Sequence, residues 1–226
     1  MVRKFQKSLY FDVLNNLLKF FPPIIFLNFF LLSCSDRSEK EIPILEYKGM
    51  LAYESHKEQP YTGKYIRYYL NGKKKQERNY INGKLEGLNI EWYENGQKWA
   101  EQNFKDGKLY GLQTEWFEDG QKKREANFTN TWAYGELNGL VTWWHKNGQK
   151  WTEGNYINGL KNGFFTKWYS DGKKSYKEEY KNGERHGLSI WWFRNGQKWA
   201  EESYRNNVKD GVQIEWHKNG QKFYEI

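Results

Sequence analysis

The groups able to do chemistry are few in kind and repeated in place. One cysteine, Cys34, and four histidines, His56, His145, His186 and His217, lie far apart in a chain of 226 residues. A single cysteine excludes a disulfide framework within the chain and any multi-cysteine metal site. The carboxylates recur at Glu101, Glu125, Glu153, Glu201 and Glu225, and lysines recur at Lys74, Lys98, Lys122, Lys150, Lys174, Lys198 and Lys222. Catalysis needs one asymmetric constellation, whereas a translational array repeats every group it contains. No G-x-S-x-G, H-E-x-x-H or P-loop is present, and no metal-ligand spacing. Catalytic residues, a metal and a cofactor are therefore not expected.

Aromatic side chains are the other chemical resource. There are 12 Trp, 17 Tyr and 14 Phe, 19% of the residues, in a chain of net charge +8. A tryptophan surface stacks on sugar rings, lipid headgroups or the apolar patch of a protein. Trp99, Trp151 and Trp199 share one slot in alternate repeat units. They read either as cross-strand packing partners of Trp92, Trp144 and Trp192 or as a contact surface. Trp143 and Trp191 fill a slot otherwise held by Arg67, Glu91, Glu115, Lys167 and Glu215, so they place indoles on a polar face. Trp132 and Tyr134 belong to an irregular stretch, a tolerated insertion or a specific surface.

Residues 1–33 are distinct from all that follow. Arg3, Lys4 and Lys7 precede a mostly apolar run from Phe20 to Leu32, which ends in Leu31-Leu32-Ser33-Cys34. The run is shorter than the roughly 20 residues a spanning helix needs. The pattern resembles the lipobox of bacterial lipoproteins, in which a small residue precedes a cysteine that is acylated. The resemblance implies a signal peptide over 1–33, lipid on Cys34 and residence at the cell envelope, the outer membrane or cell surface in a two-membrane cell. Residues 34–60 read as a polar tether, at least in their first part. Export makes nucleic acid an unexpected partner despite the basic charge.

The remaining chain, 61–226, is a repeat. Gly72, Gly96, Gly120, Gly148, Gly172, Gly196 and Gly220 are spaced 24, 24, 28, 24, 24 and 24. A second glycine set, Gly63, Gly87, Gly111, Gly139, Gly163, Gly187 and Gly211, keeps the same spacings nine residues earlier. Each first-set glycine follows Asn or Asp, as a type I′ turn prefers. A second turn recurs at Asn82-Gly83, Asp106-Gly107, Asn158-Gly159 and Asn182-Gly183. Between turns the residues alternate, Leu88, Ile90 and Trp92 on one face and Asn89, Glu91 and Tyr93 on the other. The unit is thus a β-hairpin, and a two-residue turn at Asn95-Gly96 would set Trp92 opposite Trp99. Turn-to-turn distances of 11 and 13 residues require a stagger, a bulge or a longer second loop. The expected fold is all-β: an elongated, twisted antiparallel meander of about seven 24-residue hairpins after a signal helix.

The run G-L-x-x-x-W-Y-x-N-G-Q-K…Y-x-N-G-x-x-x-G resembles the MORN repeat variant, a family often described as the YwqK-type antitoxin of toxin–antitoxin systems. The resemblance implies an elongated sheet acting as a scaffold or membrane-proximal binder. Two functions are expected from it. One is a lipid-anchored, non-enzymatic surface for a protein partner, a glycan or an anionic lipid. The alternative is an antitoxin or immunity protein that neutralises a toxin. The row Tyr68, Trp92, Trp116, Trp144, Trp168, Trp192 and Trp216 is expected to form the buried face. The lysine row is expected to lie over the rings of its own hairpin (Tyr69, Tyr93 and their equivalents), or else to form a cationic ladder for anionic lipid.

Overall fold

Two turn types, alternating along the chain, generate the fold. The computed structural model describes residues 42–129 and 135–226, and 42–226 cluster as one compact unit. The segment 1–33, Cys34, residues 35–41, Trp132 and Tyr134 lie outside the described residues. Strands β1 (Leu45–Lys48) and β2 (Leu51–Glu54) form a separate hairpin. From β3 (Gly63–Tyr68) to β19 (Lys222–Glu225) the chain is an antiparallel meander, the expected all-β array. Ladders join successive strands, with β4, β7 and β14 also pairing beyond a two-residue strand to the next one, and among the described residues no register pairs β3 with β19.

The second turn of each unit is type I′. Asn82 and Gly83 both take positive φ, 49° and 77°, and Asp106-Gly107, Asn158-Gly159 and Asn182-Gly183 do the same. Asn206-Asn207 completes this set at 49° and 66° without a glycine. The first turn is different. In the loop between β3 and β4 (Lys74–Ile81), Gly72 N–H donates to Tyr69 O at 3.0 Å and only Gly72 has positive φ. Tyr69 N–H then donates to Lys73 O at 2.8 Å. This is a three-residue loop, a type I turn on Leu70-Asn71 followed by a left-handed glycine. The expected type I′ turn at the first-set Asn-Gly pairs is therefore corrected.

The longer loop moves the register. Between β6 (Gly87–Trp92) and β7 (Lys98–Lys105), Trp92 pairs with Lys98 and Glu91 with Ala100, leaving Trp99 as an extra residue. Such a bulge turns two successive side chains to the same side. Trp99, Trp151 and Trp199 thereby leave the face of Trp92, Trp144 and Trp192, and the expected indole–indole pairs across the hairpin do not form. Of the three explanations for the 11 and 13 spacing, the bulge is the one adopted.

The sheet buries the face opposite to the expected one. Trp92, Trp116, Trp144, Trp168, Trp192 and Trp216 are only half-buried, and Tyr68 is 46% exposed. The buried strip on the other face is small or polar: Ala100, Ala126, Val141, Ala200, Asn89, Gln113 and Ser189. A regular aromatic column accompanies it, from Tyr80 to Tyr204, both buried. Its amides have a structural task. Gly87 takes positive φ and interrupts the ladder, and Asn79 N–H donates instead to Asn89 Oδ1 at 2.9 Å. Gln113 Oε1 accepts from Asn103 N–H in the next unit.

Adjacent units are bound by contacts 18 to 23 residues apart. The Lys74 ammonium sits 5.6 Å from the ring centre of Trp92, in the next unit, rather than over its own hairpin's Tyr69. Lys98, Lys122, Lys150, Lys174 and Lys198 repeat this at 5.5–5.9 Å. Each of these except Lys174 also pairs with the glutamate three residues on, as does Lys74. Contacts of this kind contribute about 0.5–1 kcal/mol apiece where exposed. The Tyr69 hydroxyl donates to Trp92 O at 2.6 Å, and Asn71 Nδ2 donates to Glu94 O at 3.2 Å. His145 occupies the tyrosine slot, its Nε2 3.3 Å from Trp168 O. At the opposite edge Gly107 N–H reaches Leu85 O and Gly183 N–H reaches Lys161 O.

The polar segment before the array is partly folded. Ala52, at the centre of the β1–β2 hairpin, is fully buried, donates to Gly83 O and accepts from Tyr61 N–H, both at 2.8 Å. Tyr47 and Tyr80 share a hydroxyl hydrogen bond of 2.9 Å. From Leu45 on, the 34–60 segment is thus a docked cap on the first unit rather than a tether.

The asparagine slot has two separable jobs. Asn95 Oδ1 accepts from Gln97 N–H within its turn, and Asn95 Nδ2 donates to Glu118 O of the next unit at 2.8 Å. Asn95→Asp keeps the first bond and loses the second, as at Asp119 and Asp171, where the turn bond alone is made. The expected cost in urea denaturation is about 1 kcal/mol for Asn95→Asp and more for Asn95→Ala. Equal midpoints for wild type and Asn95→Asp would show that the inter-unit bond contributes nothing.

Candidate functional site

The face switch brings expected contact residues together. Strands β11 (Glu136–Trp144), β12 (Lys150–Ile157), β13 (Leu160–Trp168) and β14 (Lys174–Lys181) carry the site. Trp143 comes from the ordinary alternation of β11, whereas Trp151 reaches the same face because it is the bulge residue of β12. Their rings meet edge to face, centroids 6.3 Å apart. Trp151 remains 39% exposed. A cleft of about 330 Å³ opens beside them, walled by Tyr156, Phe165 and Tyr176, with Val141, Thr152, Gly154 and Lys161 completing its lining.

Gly154 and Phe165 create this cleft. The two are register partners, and a Cβ on Gly154 would fall within the Phe165 ring. Gly154 has an ordinary strand conformation, so space rather than backbone freedom requires glycine here. The Phe165 ring stands between Tyr156 and Tyr180, 5.2 Å from each and edge to face with both. Elsewhere the column of Gly154 holds Arg78, Gln102, Ala126, Glu178, Glu202 and Ile226, and that of Phe165 holds Tyr65, Asn89, Gln113, Val141, Ser189 and Gln213. The array therefore becomes aromatic at its middle, where it is polar in most other units.

Cations lie on these rings. Lys161 Nζ is 4.8 Å from the Phe165 centroid and 4.5 Å from that of Tyr180. Lys167 Nζ is 5.7 Å from Trp151 and 5.8 Å from Tyr176. The Arg124 guanidinium lies 5.1 Å from Trp143 and pairs with Glu115 at 3.2 Å. Neither Lys161 nor Lys167 has an ion-pair partner among the described residues. Glu178 stands opposite Phe165 in register, but it accepts from the Tyr180 hydroxyl at 2.6 Å and faces Arg185 at 3.7 Å. Burial raises the phenol pKa of Tyr156 and Tyr176, and burial with the Glu178 bond pushes Tyr180 up to about 12. The cleft is thus aromatic and positively charged, with neutral phenols.

The other expected residues are scattered. Trp191 pairs in register with Tyr176 and Ala200, next to the cleft. Trp199, 48% exposed, packs on Phe193 with centroids 6.3 Å apart. Trp99 is 39% exposed in a unit whose equivalent of Trp143 is Glu91. Gly154, Phe165, Tyr156, Tyr176 and Lys161 were not singled out from the sequence. The signal was present, since Gly154 and Phe165 each break a column when the units are aligned. Among the described residues no three His, Cys, Asp or Glu side chains gather as metal ligands.

The repeat itself can now be compared with known ones. Five segments, 61–82, 85–106, 109–130, 137–158 and 185–206, match the MORN repeat variant family. These five units are similar to MORN-variant repeats. They cover just under half of the chain, and the units around Gly172 and Gly220 lie outside the matched segments. The cleft joins the matched segment 137–158 to both strands of the unmatched unit after it, through Lys161 and Phe165 on β13 and Tyr176 on β14. No curated protein matches this chain. Among solved structures, that of the GtfA/B complex bound to UDP and GlcNAc is similar at 18% identity over 52% of this chain. This chain spans 22% of that one, with a TM-score of 0.21, a likeness too slight to carry an argument.

Two outcomes test this geometry. Gly154→Ala should cost about 1–3 kcal/mol by overpacking, with much of the loss recovered in the Gly154→Ala, Phe165→Val double variant. Additive losses would mean the ring is not what the methyl meets. The second outcome is alkaline. Tyr80 and Tyr180 both have folded pKa values of about 12, above the ordinary 10.0. Their neutral forms favour the folded state, fully below pH 10, and that contribution is lost as pH rises from 10 through 12. Absorbance at 295 nm should show two late phenols, one of them absent in Tyr180→Phe.

Proposed function

We propose that this chain is a MORN-variant repeat protein that acts by binding rather than catalysis. We further propose that it is held at the bacterial cell envelope by lipid on Cys34. The array provides a rigid surface, and its contact site is the aromatic, basic cleft around Trp143 and Trp151. The observation that carries this reading is the exposed Trp151 ring beside two lysines without carboxylate partners. Five matched repeats support a repeat-based binding surface. The Leu31-Leu32-Ser33-Cys34 sequence supports the anchor, with 1–33 as signal peptide. The lysine row on the other face is a poor lipid-binding ladder, because most of its ammonium groups already pair with glutamate.

The antitoxin or immunity reading rests on the family description alone and, with an exported chain, requires an exported toxin. Metabolic palmitate labelling and membrane fractionation test the anchor: label and membrane recovery should both be lost in Cys34→Ala. Retained label would remove it. Cross-linked capture from envelope membranes tests the surface. A ligand whose recovery falls at least fivefold in Trp151→Ala supports the cleft. A stoichiometric partner that is toxic when expressed alone and exported would replace the scaffold reading by the immunity one.

A further inference from the structure

We propose that the cleft recognises an acidic polysaccharide, one uronate-type sugar ring stacking on Trp151 with its carboxylate toward Lys167, and the carboxylate of a neighbouring sugar toward Lys161. The inference rests on the reading of the array as a binding surface and names the ligand class of that surface. Three observations point to a charged sugar.

The first is shape. Trp143 and Trp151 meet edge to face, and with His145 6.1 Å and Lys167 Nζ 5.7 Å from its ring centre Trp151 still keeps 39% of its surface exposed. Flat apolar faces match the C–H face of a pyranose. The cleft, about 330 Å³, is at the lower end of the range for small-ligand sites, suited to one or two sugar units of a longer chain. The second is hydrogen-bonding capacity. The hydroxyls of Thr152, Tyr156 and Tyr176 have no partner among the described residues, although all three line the cleft. A polyhydroxylated ligand uses such groups, whereas an acyl chain leaves them unsatisfied. The third is charge. Lys161 and Lys167 approach the rings with no carboxylate to neutralise them, while the lysine row on the other face is mostly paired. Glu178, the nearest acid in register, is engaged by Tyr180 and Arg185. A neutral sugar would leave those two cations unused.

The bulge slot repeats at Trp99 and Trp199, but only at Trp151 does the neighbouring slot supply a second indole in contact and the strip an aromatic floor. The site is therefore single within a repetitive array.

The test uses the full chain in detergent and titrates oligogalacturonate against its methyl ester, which keeps the ring and removes the charge. Free oligogalacturonate should bind at least tenfold more tightly than the ester. Trp151→Ala and Lys167→Met should each weaken it at least fivefold, Trp151→Phe should retain part of the affinity, and Trp99→Ala should leave it unchanged. Affinity should fall with added salt. Unchanged thermal midpoints exclude misfolding as the cause. Equal binding of acid and ester would overturn the charge assignment. Equal losses in Trp99→Ala and Trp151→Ala would overturn the site. Equal or tighter binding of polyglutamate would make the ligand an acidic peptide and refute the sugar. A protein partner captured from membranes independently of Trp151 would leave the binding-surface reading standing while this inference failed.

Discussion

A loop carbonyl that its own hairpin cannot satisfy is the constraint on which this array rests. Trp92 O, at the end of β6, and Glu94 O, in the three-residue loop, find side-chain donors in the preceding unit, the Tyr69 hydroxyl and the Asn71 amide. Backbone polar groups withdrawn from water need partners. A single hairpin is therefore unfinished at one edge, and stacking the next copy finishes it. The I′ turns repeat the arrangement at the other edge through backbone donors such as Gly107 N–H. Stability then grows by nearest-neighbour terms, and the first unit needs a cap, which the β1–β2 hairpin supplies.

That constraint also explains how a sheet so poor in aliphatic residues holds together. Its buried strip is assembled from alanine, serine and side-chain amides, and the amides replace ladder bonds lost where a left-handed glycine breaks the strand. The row of Trp92 and its equivalents stands on the opposite face, shielded by lysine stems from the unit before. Each such contact is small, and their number and regularity hold adjacent units together. His145 belongs to this scheme as a substitute for tyrosine, since its ring meets the same carbonyl.

Regularity gives the exception its meaning. A site must differ from its surroundings, and in an array it does so by breaking columns that are polar or small in most other units. Gly154 removes a side chain where Gln102 and Glu202 have one, and Phe165 enters where Asn89 and Gln113 bridge strands. Local departure from a consistent pattern is where function is expected. The departure here is concentrated in four adjacent strands and carries two lysines that the array has not paired.

The period, the hairpin unit and the alternation of faces were legible in the sequence because Asn-Gly chemistry and 24-residue spacing are local properties. The aromatic rows and their slots were equally legible, and so was the need for a bulge or its equivalent. Which face is buried was not, because one extra residue after each long loop reverses the side on which Trp99, Trp151 and Trp199 emerge. Whether Asn95-Gly96 forms a type I′ turn or a longer loop depends on backbone angles that the same dipeptide permits in both. The partners of the lysine row lie in the following unit, so only stacking could reveal them. The sequence by itself determined a repeating hairpin. The tertiary structure decided which indoles share a face, because that depends on register, and register is set by pairing across strands.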